Sequence, residues 1–197
     1  MLKKQQYKTS IQFENLYNIL SSHRFLNKEG LGGELPFFIH SFPIANLSEV
    51  ELNINSLVKR LQSQGIEILE INMYKLCVDI LKKENLFNQI VDQETKLPKQ
   101  RLLRILSGPL NIENVLIPEF NTRIKNSSAK AIFISGIGSV YPFLRLHSII
   151  NNIQVLEKDL SVVMFFPGLY NNKSLTLFNT INDGNDYRAH NLNDYKI

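Results

Sequence analysis

Four histidines, a single cysteine and a few serines beside glycine are the groups through which this chain of 197 residues would do chemistry. None of His23, His40, His147 and His190 has a partner at helical metal-ligand spacing, and no Asp or Glu stands beside one in a hydrolase or metal motif. Cys77 is alone, so neither an intramolecular disulfide nor a paired-thiolate metal site is available. It lies on an apolar helical face with Met73, Ile80 and Leu81, the setting of a buried, inert thiol. The segment Gly136-Ile137-Gly138-Ser139-Val140-Tyr141-Pro142 follows a buried strand and precedes a helix, where backbone N–H groups can cradle an anion. A dinucleotide fingerprint needs a third glycine for close strand–helix packing, and Tyr141 stands there. A P-loop needs Gly-Lys-Ser or Gly-Lys-Thr, and neither tripeptide occurs. Ser139 would need a Gly-x-Ser-x-Gly turn to act as a nucleophile, and the spacing does not match. A tight turn that uses glycine for its backbone angles is the plainer use of this loop, with phosphate binding as the alternative.

Two further clusters read as structure. Asp183 and Asp186 near Arg188 suggest acid–base work, yet Asn-Asp-Gly-Asn-Asp is ordinary turn composition. His147, two residues after Arg145, suits a helix cap or an interface. The strongest basic stretch is an expected helix over about 94–106 with Lys96, Lys99, Arg101 and Arg104 among leucines. It lacks the stacking aromatics of a single-strand binder and reads as a solvated face or one that meets a partner. The net charge of +4 is too small to imply nucleic acid by itself.

To position these groups the chain has ample apolar material: 44% hydrophobic and 10% aromatic residues exclude global disorder. No apolar run approaches membrane-spanning length, and Met1-Leu2-Lys3-Lys4-Gln5-Gln6 does not open a secretory signal, so a cytoplasmic location without membrane contact is expected. Thr9 with Gln12 predicts a capping box before a helix through Phe13, Leu16, Tyr17 and Leu20. Gly30, Gly32 and Gly33 predict a loop, and Leu35–His40 a buried strand. Ser48 with Glu51 predicts a second capping box for a helix ended by Gly65. The strand Ile66–Ile71 and the Cys77 helix follow. After a less regular middle, in which Pro118 predicts a break or late start, come the strand Ala131–Ile134, a helix from about Pro142 to Ile153, and the strand Ser161–Phe166 closed by Pro167-Gly168. Leu175–Phe178 reads as the last strand. Strands apolar on both faces belong inside a helix-covered sheet. The expected fold is therefore an α/β three-layer sandwich with a mostly parallel central sheet in a single domain spanning 1–197, reminiscent of a nucleotide-binding fold without its P-loop.

The C-terminal third is the most specific. The run Phe133-Ile134-Ser135-Gly136-Ile137-Gly138-Ser139-Val140-Tyr141-Pro142-Phe143-Leu144-Arg145 continues through His147 and Asn151-Asn152. It is followed by Phe165-Phe166-Pro167-Gly168-Leu169-Tyr170, Leu175–Phe178 and Asp186-Tyr187-Arg188-Ala189. This succession, with Pro36–His40 and Glu70-Ile71-Asn72, resembles the BrxB family of bacteriophage-exclusion (BREX) defence systems over about residues 10–190. His190 replaces the aromatic usual after Tyr-Arg-Ala, and the tail beyond is short and polar. The resemblance implies an accessory, non-enzymatic component needed for defence and for marking host DNA. It also implies association with the PglZ-type protein and other BREX components, and so indirectly with DNA. No cofactor is implied. On that basis Gly136, Gly138, Tyr141, Pro142, Arg145 and His147 are expected to shape one interaction surface, with Pro167, Gly168, Tyr170, Tyr187 and Arg188 at its rim. A nucleotide-binding or hydrolysing enzyme and a DNA-binding module are the alternatives.

Overall fold

The apolar runs become the inner strands of one sheet because both of their faces must be covered. The computed structural model describes residues 2–29, 31, 34–156 and 160–195; the predicted loop glycines Gly30, Gly32 and Gly33 lie outside them. The chain opens with helices α1 (Leu2–Leu20) and α2 (His23–Leu26), strand β1 (Phe37–Phe42) and helix α3 (Leu47–Gln62). Strand β2 (Ile68–Asn72) leads into α4 (Met73–Lys83), α5 (Phe87–Glu94), α6 (Lys99–Ser107) and α7 (Ile117–Lys125). Strand β3 (Ala131–Ser135), helix α8 (Leu146–Leu156) and strand β4 (Ser161–Tyr170) follow, and then β5 (Ser174–Leu177), β6 (Ile181–Asp186) and β7 (His190–Asn191).

The main sheet runs β2-β3-β4-β1-β7, all parallel, while β5 and β6 form an antiparallel hairpin on the end of β4. Alternate side chains feed two cores. Phe38, Phe42, Phe133, Val163 and Phe165 meet α1, α2 and α3 on one face. Phe37, Ile39, Ile132, Ile134, Met164 and Phe166 meet α4, α7 and α8 on the other. This is the expected three-layer α/β sandwich. Each fully buried phenylalanine or isoleucine is worth about 1.5–3 kcal/mol of transfer free energy, so these alternating pairs set the strand register.

Local signals shift where tertiary contacts outweigh them. Helix α1 reaches back to Leu2, so Thr9 is inside it rather than at its cap; Thr9 is buried and accepts a hydrogen bond from Asn46 Nδ2 at 3.4 Å. That same Asn46, not Ser48, occupies the cap position of α3, and Ser48 is an exposed first-turn residue. Gly65, with φ +75°, closes the turn after α3 as expected. Pro118 lies in the first turn of α7, which continues a single π-helical turn at Ile112–Leu116. Helix α8 begins at Leu146, not Pro142: after the extended Tyr141 the chain passes through turns as far as Arg145 before it becomes helical. Strand β4 is not closed by Pro167-Gly168. Pro167 is its last parallel partner, opposite Phe42, and Gly168 its first antiparallel one, opposite Leu177. Nor is Leu175–Phe178 the last strand, since the chain beyond it supplies β6 and β7. Helix α5 is absent from the expected elements: its apolar stripe of Phe87, Ile90 and Val91 sits on only eight residues, and no residue of it is fully buried.

Candidate functional site

In a parallel sheet the loops at the carboxyl ends of the strands carry function. At the end of β3, Gly136 turns the chain with φ +71°, a conformation that a side chain disfavours. A Cβ there would also approach Asn72 Oδ1 to 2.5 Å. Asn72 is itself engaged, its Oδ1 accepting the Lys75 N–H at 3.1 Å to cap α4. Two residues on, a Cβ at Gly138 would come within 2.7 Å of the Phe178 ring and 3.0 Å of Pro167 Cγ. Phe178 reaches this place because the β5–β6 turn holds it at φ 54°, with its N–H donated to the Pro167 carbonyl at 2.9 Å. The glycine loop is therefore packed by the chain's own Asn72, Phe178 and Pro167. Little volume is left between it and the β1 and α3 side chains: the space lined by Phe42, Val50, Ile137, Gly138 and Pro167 amounts to about 10 Å³.

The residues expected to form one surface separate into two groups. Tyr141 (43% exposed), Pro142, Arg145 and Arg188 face solvent. Neither guanidinium has an ion pair among the described residues. His147 is half-buried at the start of α8, with Nε2 3.0 Å from Asn151 Nδ2, and its ring meets Tyr187 edge-on at 6.2 Å. Through this contact, and through Gln154 Nε2 donating to the Arg188 carbonyl at 2.9 Å, the Tyr187–Arg188 segment is held along α8. The remaining four are core rather than rim. Pro167 and Gly168 are buried in β4, where a Cβ on Gly168 would meet the Thr176 carbonyl at 2.1 Å. Tyr170 and Tyr187 are buried at 7% and 4% exposure. The Tyr170 hydroxyl donates to the Ala189 carbonyl at 2.8 Å, and burial raises its pKa above the ordinary tyrosine value. The reason is topological: β5 returns antiparallel to the β4 extension, β6 turns back along β5, and the chain leaving β6 brings Tyr187 and Ala189 against Tyr170. Arg145 then borders a depression of about 350 Å³ shared with Glu113, Phe143 and Asn152.

A second concavity was not singled out from the residues. A crevice of about 500 Å³ opens at the carboxyl ends of β2 and β3, between α3 and α4, lined by Glu51, Glu70, Asn72, Lys75, Ser135 and Ser139. Ser135 Oγ donates to Glu70 Oε1 at 3.2 Å. The signal was available in Glu70-Ile71-Asn72, where alternation puts both polar groups on one side of a strand end. Elsewhere the titratable residues are structural. Burial pushes the Cys77 thiol up to about 12, so it is inert at neutral pH. Asp183 and Asp186 belong to β6, where Asn182 Oδ1 accepts the Gly184 N–H at 2.8 Å in a local turn; Asp186 pairs with Lys173 at 3.3 Å. The Asp183 side chain lies outside the described set. Among the described residues no cluster of His, Cys, Asp and Glu has metal-binding geometry, and no helix is long and apolar enough to cross a membrane.

Comparison with known proteins adds what geometry does not. A family model described as "BREX protein BrxB" matches residues 69–192. A BREX protein BrxB of Bacillus cereus (strain H3081.97) is 30% identical over 174 residues, covering 86% of this chain and 90% of that protein. A BREX protein BrxB of Escherichia coli O9:H4 (strain HS) is 26% identical over 174 residues, covering 88% of this chain and 86% of that protein. No solved structure matches the chain significantly.

Proposed function

Because the chain belongs to the BrxB family and is thus a component of BREX phage defence, we propose that it works as a non-catalytic adaptor of that system. In this role it is required for defence and for marking host DNA, and it holds the PglZ-type component, so that contact with DNA is indirect. The observation that carries the reading is the self-packed glycine loop. Where a nucleotide-binding relative of this architecture would present free N–H groups to phosphate, Phe178 and Asn72 fill the space. What the same loop offers outward is Tyr141, Pro142 and Arg145, and Arg188 is exposed on the segment that runs along α8. Arginine and tyrosine next to a shallow depression are the side chains most used as interface anchors, because each joins large contact area to directed hydrogen bonds.

The test is charge reversal at a residue the core does not use. Arg145→Glu is expected to leave protein level and melting temperature unchanged, since Arg145 is exposed. It is expected to abolish phage restriction in a plating assay and to reduce host adenine marking. Full defence by this variant and by Tyr141→Ala would remove this surface from the reading. A nucleotide-binding role is favoured only by the size of the 500 Å³ crevice, whose Glu51 and Glu70 carboxylates oppose phosphate. Under that role millimolar ATP or GTP would raise the melting temperature by mass action; an adaptor predicts no shift.

A further inference from the structure

The crossover from β2 to β3 carries two helices that lie on the outside of the core. Neither α5 (Phe87–Glu94) nor α6 (Lys99–Ser107) buries a residue. Leu86, Phe87, Ile90 and Leu106 rest against the core on the α4 side, but Leu102, Leu103 and Ile105 join neither core cluster. Ile105 is 41% exposed and Val91 47%. Between the helices runs a groove of about 310 Å³ lined by Leu86, Ile90, Leu102, Ile105 and Pro109. On the other side of Ile105 lies a broader depression of about 640 Å³ bearing Arg101 and Arg104. Neither of these guanidinium groups has an ion pair among the described residues.

We propose that this face is a docking groove for an amphipathic α-helix of a partner protein, apolar where it enters the groove and acidic on the flank beside Arg101 and Arg104. The occupant is helical because α5 and α6 offer no free backbone edge. An inserted segment must satisfy its own N–H and C=O groups, as a helix does and an extended strand does not. Helices of this length are about 12–14 Å long, which matches anchors at i, i+3 or i+4, and i+7, roughly two turns. The occupant is acidic because the cations flanking the groove are uncompensated. Two alternatives use only part of the surface. A second copy stacked α6 on α6 would set arginine against arginine. Nucleic acid would meet the arginines and leave Leu102 and Ile105 in water. The groove shares no lining residue with the Arg145 depression, so it stands or falls apart from the adaptor surface.

The probe is a fluorescein-labelled, hydrocarbon-stapled peptide of about four helical turns, with leucines along one face and glutamates on both flanks. Its control has the same composition with the leucines dispersed around the helix. With the full-length protein, fluorescence anisotropy is expected to show saturable binding of the first peptide and none of the second. Ile105→Glu, and separately Arg101→Glu with Arg104→Glu, should each weaken it at least about tenfold. Circular dichroism and melting temperature should be unchanged, because these positions are exposed or make no core contact. Equal binding of both peptides, no binding at millimolar peptide, or indifference to Ile105→Glu would overturn the proposal. So would a concentration-dependent dimer abolished by Ile105→Glu, which would make a second copy the occupant. Duplex DNA that displaces the peptide and is itself lost with the double arginine reversal would make nucleic acid the occupant.

Discussion

At the residue scale, His40 is the most exposed to a change of conditions. It is 2% exposed within β1, its Nδ1 lies 2.6 Å from Asn193 Oδ1, and its ring is enclosed by Phe13, Phe42 and Phe165. Burial lowers its pKa to about 4, with the Asn193 hydrogen bond working the other way. The unfolded chain binds this proton near the ordinary histidine value of about 6.5. Between the two values the unfolded state therefore holds more protons, so stability is full above about 6.5 and falls as pH drops toward about 4. A shift of this size is worth roughly 3 kcal/mol. Denaturant titrations at pH 7.5 and pH 4.5 should show that loss in the wild type and a smaller one in His40→Gln, which removes the titration. An equal loss in both would assign the acid lability to carboxylates. Tyr187 is the second case. From the sequence, an interface anchor and a core tyrosine look alike, because both are aromatic residues in a polar segment. At 4% exposure it is core, so Tyr187→Ala should destabilise by about 3–5 kcal/mol, whereas Arg145→Ala should change stability by less than about 0.5 kcal/mol. Urea unfolding separates the two.

At the element scale, the β4 extension and its hairpin decide what the glycine loop can do. The hairpin turn carries Phe178 into the loop, so Gly138 and Phe178 are energetically coupled. Gly138→Ala should destabilise the wild type by about 1–3 kcal/mol through overpacking. In a Phe178→Ala background the same change should cost less, since only the Pro167 contact remains. A double-mutant cycle that comes out additive would mean that Phe178 does not pack against the loop. This coupling was not legible in the sequence. Pro167-Gly168 is ordinary strand-stop composition, and nothing local says that a proline can pass a strand from a parallel partner to an antiparallel one. The inner strands were legible because burial on both faces writes an uninterrupted apolar run, as at Ala131–Ile134. Helix starts were misplaced wherever a cap residue was recruited over distance, as Thr9 is by Asn46. Strands β6 and β7 escaped notice because Asn-Asp-Gly-Asn-Asp is turn composition and β7 has two residues.

At the scale of the whole molecule, the sheet presents its carboxyl edge with one loop filled by its own side chains, a polar crevice beside it, and an exposed Arg145 bordering a shallow depression at the start of α8. The family to which the chain belongs was legible in the ordered motifs of its last third, while the division of those motifs into surface and core was not. That division depends on where β6 lays Tyr187, a contact between distant parts of the chain. The proposed adaptor role is a claim about binding, so the decisive measurement is the affinity of the purified protein for a PglZ-type protein. It would be read by titration calorimetry alongside Arg145→Glu. A saturable complex that persists at high salt and weakens at least about thirtyfold in the variant, equivalent to roughly 2 kcal/mol, is the predicted result. No complex with the wild type, or one that Arg145→Glu leaves at full strength, would contradict it.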